Sequence, residues 1–246
     1  MKIYFYMKKF SFFGLSFVIL CIATCASTGF FISNLLILSN IFPLSCSVEM
    51  ESLSLYALTT ASAENESDLT DSQEELQSMN GAGYIFKQGG TYFLISSIYE
   101  NLRDAELVEK NLKNNGMDCS VIQIFLEKQA LSGNFSNEER AVLQNCLNSS
   151  ITSYKSLYDI SISLDTNIYD KQKAKLECNN VFSNLVSIKT NFETLFDTKN
   201  FDEINKKLLF ENETLSNLIS ENLCNKTQTF SSLIKFSYCK ILLFNA

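Results

Sequence analysis

The sequence predicts an α+β fold in three parts: an N-terminal transmembrane helix, a small sheet packed with one helix, and a mainly α-helical bundle. Three observations support this division. An uncharged apolar run lies near the N-terminus, strand-like segments flank an amphipathic segment within residues 81–126, and apolar residues recur at helical spacing over residues 134–246. With 46% hydrophobic residues, the 246-residue chain has enough apolar side chains for a packed core.

Residues 10–33 form an uncharged run long enough to cross about 30 Å of hydrocarbon as a helix. Lysines precede the run within residues 1–9, and acidic residues begin at Glu49. By the positive-inside rule, residues 1–9 are cytoplasmic and the bulk of the chain is extracytoplasmic. A cleaved signal peptide and a lipoprotein signal at Cys25 are the competing interpretations. Signal-peptide cleavage at ATCAS, residues 23–27, would leave an apolar stretch exposed to water. We therefore expect a retained single-pass anchor in the lipid bilayer.

Residues 34–80 are predicted to be a membrane-proximal segment followed by an acidic tether. The second part, ASAENESDLTDSQEELQSMN, is rich in acidic residues and has no sustained apolar period. Such a composition buries too little apolar surface to offset the entropy of ordering the chain.

The composition argues against catalysis and against nucleic-acid binding. The chain has no His, the commonest general base, zinc ligand and partner of a nucleophile. Its eight cysteines contain no CxxC pair, so no metal site is expected. Beyond residue 9 the chain contains 17 of its 20 basic residues and all 27 acidic ones, so this part is strongly acidic. Binding to a phosphate backbone needs clustered Lys and Arg. We expect a protein that is not an enzyme and uses no cofactor.

Residues 81–99 are typical of a β-hairpin. A short strand over 84–86 is followed by a turn at 88–90 and a strand over 91–99. Both faces of the second strand are apolar, because two apolar sets of side chains alternate along it. One set is Tyr92, Leu94 and Ile98, and the other is Phe93, Ile95 and Tyr99. A strand of this kind is expected to be covered on both sides.

An amphipathic helix follows over residues 101–115. Asn101 can cap its start, and Gly116 is a suitable stop because glycine adopts the left-handed conformation without penalty. A further strand begins at Cys119. The short links predict a right-handed crossover with this helix on one face of the sheet.

Residues 134–246 are predicted to form a bundle of three or four antiparallel helices. Ser136 followed by Glu139 indicates a capping box. Apolar residues then recur at steps of three and four, and the first such stripe consists of Leu143, Leu147, Ile151, Tyr154 and Tyr158. Residues 227–244 are ambiguous between helix and strand.

Residues 92–124 resemble the first half of a SPOR (sporulation-related repeat) domain. The matching positions carry an aromatic-led strand and a helix with an Ala-Glu pair: Tyr92, Leu94, Tyr99, Asn101, Ala105, Glu106, Val108, Lys110, Leu112 and Gly116. The resemblance implies a four-stranded sheet that binds peptidoglycan glycan strands stripped of their peptides. Ile95 and Ser97 stand where the family usually has Gln and Gly, so the residues most associated with the glycan-binding face are missing.

The resemblance and the topology together favour a single-pass protein of the bacterial cell envelope. Its SPOR-like module, residues 81–126, would bind peptidoglycan in cell division or sporulation, and Tyr92, Phe93 and Tyr99 are the predicted sugar contacts. The second face of the strand is covered either by sugar or by the chain's later helices. Ile95 favours the helices, because it offers a sugar no hydrogen bond. The alternative function is a membrane-anchored, non-enzymatic scaffold whose bundle recruits protein partners.

Overall fold

The computed structural model describes residues 46–221 and 228–244. Ser47–Leu131 and Phe135–Ala246 belong to one compact unit, which contains the sheet, the bundle and the sites discussed below. The predicted cytoplasmic N-terminus and transmembrane helix, residues 1–33, lie outside the described residues. Within the described ranges, no helix combines the length and the apolar character that a membrane crossing requires.

Six strands and six α-helices make up the described part of the chain. In chain order they are β1 (Cys46–Met50), β2 (Leu53–Ala63), α1 (Thr70–Ser78), β3 (Tyr84–Gln88), β4 (Thr91–Tyr99), α2 (Leu102–Asn114), β5 (Ser120–Leu126), β6 (Gln129–Gly133), α3 (Asn137–Asp165), α4 (Lys171–Leu195), α5 (Asp202–Ser220) and α6 (Phe230–Leu242). A 3-10 turn, Glu66–Leu69, leads into α1.

The main sheet has four strands in the order β3-β4-β2-β5, and every neighbouring pair is antiparallel. β2 is central: Tyr56 lies opposite Tyr99 of β4 on one side and Gln123 of β5 on the other. Two strand-helix-strand halves, β2-α1-β3 and β4-α2-β5, therefore interlock, and the four-stranded sheet implied by the resemblance is present. β1 and β6 form a separate two-stranded sheet.

The structure corrects the predicted tether. β2 and α1 occupy residues that were assigned to a flexible segment, and the sheet packs with two helices instead of one. β2 forms because LSLYALTTASA is uncharged and sends Leu55 and Ala57 to one face, Tyr56 and Leu58 to the other. Residues 92–124 accordingly form the second strand-helix-strand half of this sheet, whereas the resemblance was to the first half of a domain.

Most of the local predictions after residue 81 are confirmed. β3 and β4 form the predicted hairpin. The Asn101 side chain accepts a hydrogen bond from the Arg103 backbone N–H at 2.9 Å, and Gly116 has φ +82°. Ser136 and Glu139 form the capping box, with the Ser136 backbone N–H donating to the Glu139 carboxylate at 2.7 Å.

The bundle consists of α3, α4, α5 and α6. α3 packs against α4 and α6, and α5 packs against the same two helices, so the four form a closed ring. The stretch that was ambiguous between helix and strand contains α6, whose apolar side chains, Leu233, Ile234, Ile241 and Leu242, are buried.

The bundle packs on one face of the main sheet, and α1 and α2 cover the other. Ile95, Ile98 and Ile124 share a continuous core with apolar residues of α3 and α6. On the opposite face, Leu94 packs with Leu76 of α1, and Tyr99 with Ala105 of α2.

Candidate binding cleft

The three predicted sugar contacts on β4 do not share a surface. Tyr92 and Tyr99 lie on the face covered by α1 and α2, where they join separate apolar clusters. Because successive side chains of a strand point in opposite directions, Phe93 lies on the face that meets the bundle. The three rings therefore cannot form one platform for a sugar strand.

The middle of the bundle-facing side of β4 is closed. Ile95 and Ile98 are both 0% exposed. The Tyr154 hydroxyl of α3 donates to the Ile98 carbonyl at 3.0 Å, and Phe236 of α6 meets Tyr84 of β3 edge to face at 5.6 Å. The chain's own helices thus occupy the face that the resemblance assigns to glycan, and the expectation drawn from Ile95 is confirmed.

Phe93 lies beside an open pocket. It is half-buried and lines an open pocket of about 190 Å³ beside β2 and the start of β5. The hydroxyl-bearing residues Thr60, Ser62 and Ser120 line the same pocket. Tyr92, in contrast, has one ring face near the Lys87 ammonium, 4.9 Å from the ring centroid.

Tyr99 lies at the edge of a larger cleft between the β4–α2 turn and α3. The cleft has a volume of about 390 Å³, and its lining residues are Tyr99, Glu100, Asn101, Asp104, Tyr154, Lys155, Tyr158 and Asp159. The Tyr99 hydroxyl accepts a hydrogen bond from Ser97 at 2.8 Å, which fixes the ring. Tyr158 meets Tyr99 edge to face, with ring centroids 6.0 Å apart.

The cleft carries negative charge, but its tyrosines are neutral. Glu100, Asp104 and Asp159 are exposed carboxylates at its rim, and Lys155 pairs with Glu100 at 3.3 Å. Burial, with smaller contributions from Tyr99, Asp104 and Asp159, raises the pKa of Tyr158 to about 12. The Tyr158 hydroxyl therefore stays protonated near neutral pH.

A second groove adjoins the cleft along α3. It has a volume of about 380 Å³ and runs between α3 and α4, where Ser156 and Asn180 are among its polar lining residues. Asp159 lines both the groove and the cleft. The two depressions therefore share one lining carboxylate.

The sequence analysis missed a buried ion pair inside the bundle. The Lys207 ammonium donates to the backbone carbonyls of Cys146 at 3.1 Å and Leu147 at 2.7 Å, and lies 3.9 Å from the Glu211 carboxylate. Glu211 accepts a hydrogen bond from Ser150, but its second oxygen is buried without a partner. A Lys and a Glu four residues apart on an otherwise apolar helical face were the only signal in the sequence.

The described residues do not supply a metal site. No group of three or more Cys, Asp or Glu side chains in residues 46–221 and 228–244 is arranged to hold an ion. Cys119, Cys146, Cys178 and Cys239 are buried free thiols. Burial raises the pKa of Cys146 and of Cys178 to about 12, so neither is an activated nucleophile.

Comparison with known proteins yields little. No family profile matches the chain, and no curated protein matches it. Among solved structures, the chain is similar to the solution structure of the peptidoglycan-binding domain of the Bacillus subtilis cell wall lytic enzyme CwlC. The identity is 16%, the match covers 30% of this chain and 95% of that domain, and the TM-score is 0.26.

Proposed function

We propose that the chain is a membrane-anchored, non-enzymatic interaction scaffold of the bacterial cell envelope. Residues 10–33 serve as the anchor, the N-terminus is cytoplasmic, and the bulk of the chain lies outside the membrane. The SPOR-like module and the bundle act as one folded unit that binds a protein partner.

The observation that supports this function is the closure of the sheet. A glycan strand lying across the middle of β4 would have to displace α3 and α6 from Ile95 and Ile98. Exposing two buried isoleucines costs about 3–6 kcal/mol in total, which would weaken glycan binding by about 10²–10⁴-fold. An exposed protein-binding surface on the same unit has no such cost.

Peptidoglycan binding in division or sporulation remains a second candidate, because one specific feature favours it. Phe93 is half-buried in an open pocket lined by hydroxyl-bearing residues. An aromatic ring with hydroxyls beside it can stack on one sugar and hydrogen-bond to it, although the pocket is much shorter than a sheet-wide platform.

Sedimentation with purified peptidoglycan sacculi distinguishes the two functions. The full chain, in a non-ionic detergent, is incubated with sacculi before and after an amidase has removed their peptides. The scaffold proposal predicts weak binding that amidase treatment does not change. Binding that rises after amidase treatment would instead support peptidoglycan binding, provided that it falls in Phe93→Ala. The control is Phe125→Ala on β5, which removes an exposed aromatic ring and should leave this binding unchanged.

A further inference from the structure

The cleft beside Tyr99 has a wall made of rigid aromatic rings. Tyr154 and Tyr158 lie 5.9 Å apart between centroids, and both pack on Tyr238 of α6, at 5.4 and 6.3 Å. Tyr99 completes the cluster from β4. Because three elements hold the rings, the wall is formed before any ligand arrives.

Two carboxylates at the rim of this wall have no cationic partner among the described residues. Lys155 is engaged by Glu100, whereas Asp104 and Asp159 take part in no salt bridge within that part of the chain. Their charge reaches the aromatic wall, since both help to raise the pKa of Tyr158, after the larger effect of burial. A cation placed against Tyr158, which is half-buried, would gain from both carboxylates and from the ring.

The same charges disfavour a glycan stripped of its peptides. Such a strand carries a free carboxylate on each muramic acid residue, and like charges at a few ångströms repel. A neutral sugar would gain nothing from the negative field.

The adjoining groove indicates a ligand that extends beyond a single amine. Asp159 also lines the groove between α3 and α4, where the side-chain oxygens of Ser156 and Asn180 can accept hydrogen bonds from a peptide backbone. Their donor groups already bond to the Thr152 carbonyl and the Glu177 carboxylate. A small cation would leave this groove empty.

We propose that the cleft of Tyr99, Tyr158, Asp104 and Asp159 is the docking site for a basic segment of a protein partner. An Arg or Lys side chain of the partner enters between the rings and the two aspartates, and the adjacent backbone lies in the groove between α3 and α4. This inference rests on the proposed scaffold function and names the chemistry of the partner.

Fluorescence anisotropy with a labelled oligoarginine peptide tests the site on the full chain in detergent. The key variant is Asp104→Asn with Asp159→Asn. Because the whole chain is acidic, the control must remove the same charge elsewhere. Asp71→Asn with Glu74→Gln on α1 does so, since both side chains are exposed and neither lines the cleft.

We expect the cleft variant to lose about tenfold in affinity, and the α1 control to lose less than about twofold, with the difference shrinking at high salt. Tyr158→Phe, which keeps the ring, should bind as well as the unmodified chain. Equal losses in the cleft variant and the control would overturn the proposal, as would equal binding of oligoglutamate or displacement of the peptide by stripped glycan strands. A cleft that fails this test leaves the sacculus result, and with it the scaffold proposal, unaffected.

Discussion

Replacing Lys207 with Met removes the ammonium from the buried network that joins α5 to α3. The Lys207 side chain is 7% exposed and that of Glu211 is 0% exposed, so water cannot replace the lost cation. Glu211 would keep only its hydrogen bond from Ser150. We expect Lys207→Met to lower the free energy of unfolding by about 3–5 kcal/mol, the usual cost of leaving one buried charge unpaired.

The destabilisation by Lys207→Met should depend on pH, because protonation of Glu211 removes its buried negative charge. Burial raises the pKa of Glu211, opposed by smaller effects of Lys207 and of the hydrogen bond from Ser150. A carboxyl group whose pKa is higher in the folded than in the unfolded state contributes stability that is fully present below its unfolded-state pKa. This contribution is lost as the pH rises through its folded-state pKa. Lys207→Met should therefore be less destabilised near pH 5 than near pH 8.

Urea unfolding followed by circular dichroism, on the full chain in detergent, measures both effects. Lys206→Met is the matched control on the same helix, because Lys206 is exposed and water screens its pair with Asp202, so its loss should change stability little. Lys207→Met combined with Glu211→Leu should recover much of the loss, since no unpaired charge remains. The reasoning is refuted if Lys207→Met is as stable as Lys206→Met, or if its loss is the same at both pH values.

Three further outcomes follow from the fold. Deleting residues 46–80 removes β2 and α1, so circular dichroism should show no cooperative unfolding transition; a cooperative one would mean that the remaining strands fold without β2. Burial raises the pKa of Tyr84 and of Tyr158 to about 12. Their contribution to the free energy of unfolding is fully present below the ordinary tyrosine pKa of about 10 and should be lost between about pH 10 and 12. An ultraviolet titration in which every tyrosine ionises below that range would contradict this. Gly83→Ala should lower the free energy of unfolding by about 2–3 kcal/mol in chemical denaturation, because its new Cβ would lie 2.5 Å from Gln77 Cγ. Gly89→Ala is the control: it has open space around it and should cost about 1 kcal/mol. Equal costs would show that the contact with Gln77 is unimportant.

The elements after residue 81 could be predicted because their signals are local. A glycine turn, an Asn cap and a Ser-Glu capping box each act within a few residues. β2 gives no comparable signal: it ends in Thr, Ser and Ala and runs into an acidic segment that resembles a tether. Its place at the centre of the sheet depends on pairing with Tyr99 and Gln123, which lie about 40 and 65 residues away in sequence and leave no mark in a local pattern.

The candidate site was predicted only in part, for a similar reason. Tyr99 was singled out, but as a sugar contact on an open sheet. Tyr158 was assigned to the apolar stripe of a helix, where its spacing fits. The cleft exists because α3 brings Tyr158 and Asp159 against the β4–α2 turn, and that packing between distant segments cannot be read from spacing alone.

The closure of the sheet by the bundle is tested most directly by the solvent accessibility of the isoleucine methyl groups. In the full chain with isotope-labelled isoleucine, a soluble gadolinium chelate enhances the NMR relaxation of exposed methyl groups. We expect Ile95 and Ile98 to be as protected as the core residue Ile124, while Ile168, which is 73% exposed, is strongly affected. Relaxation of Ile95 and Ile98 as strong as that of Ile168 would show that the face is open and would contradict the scaffold account.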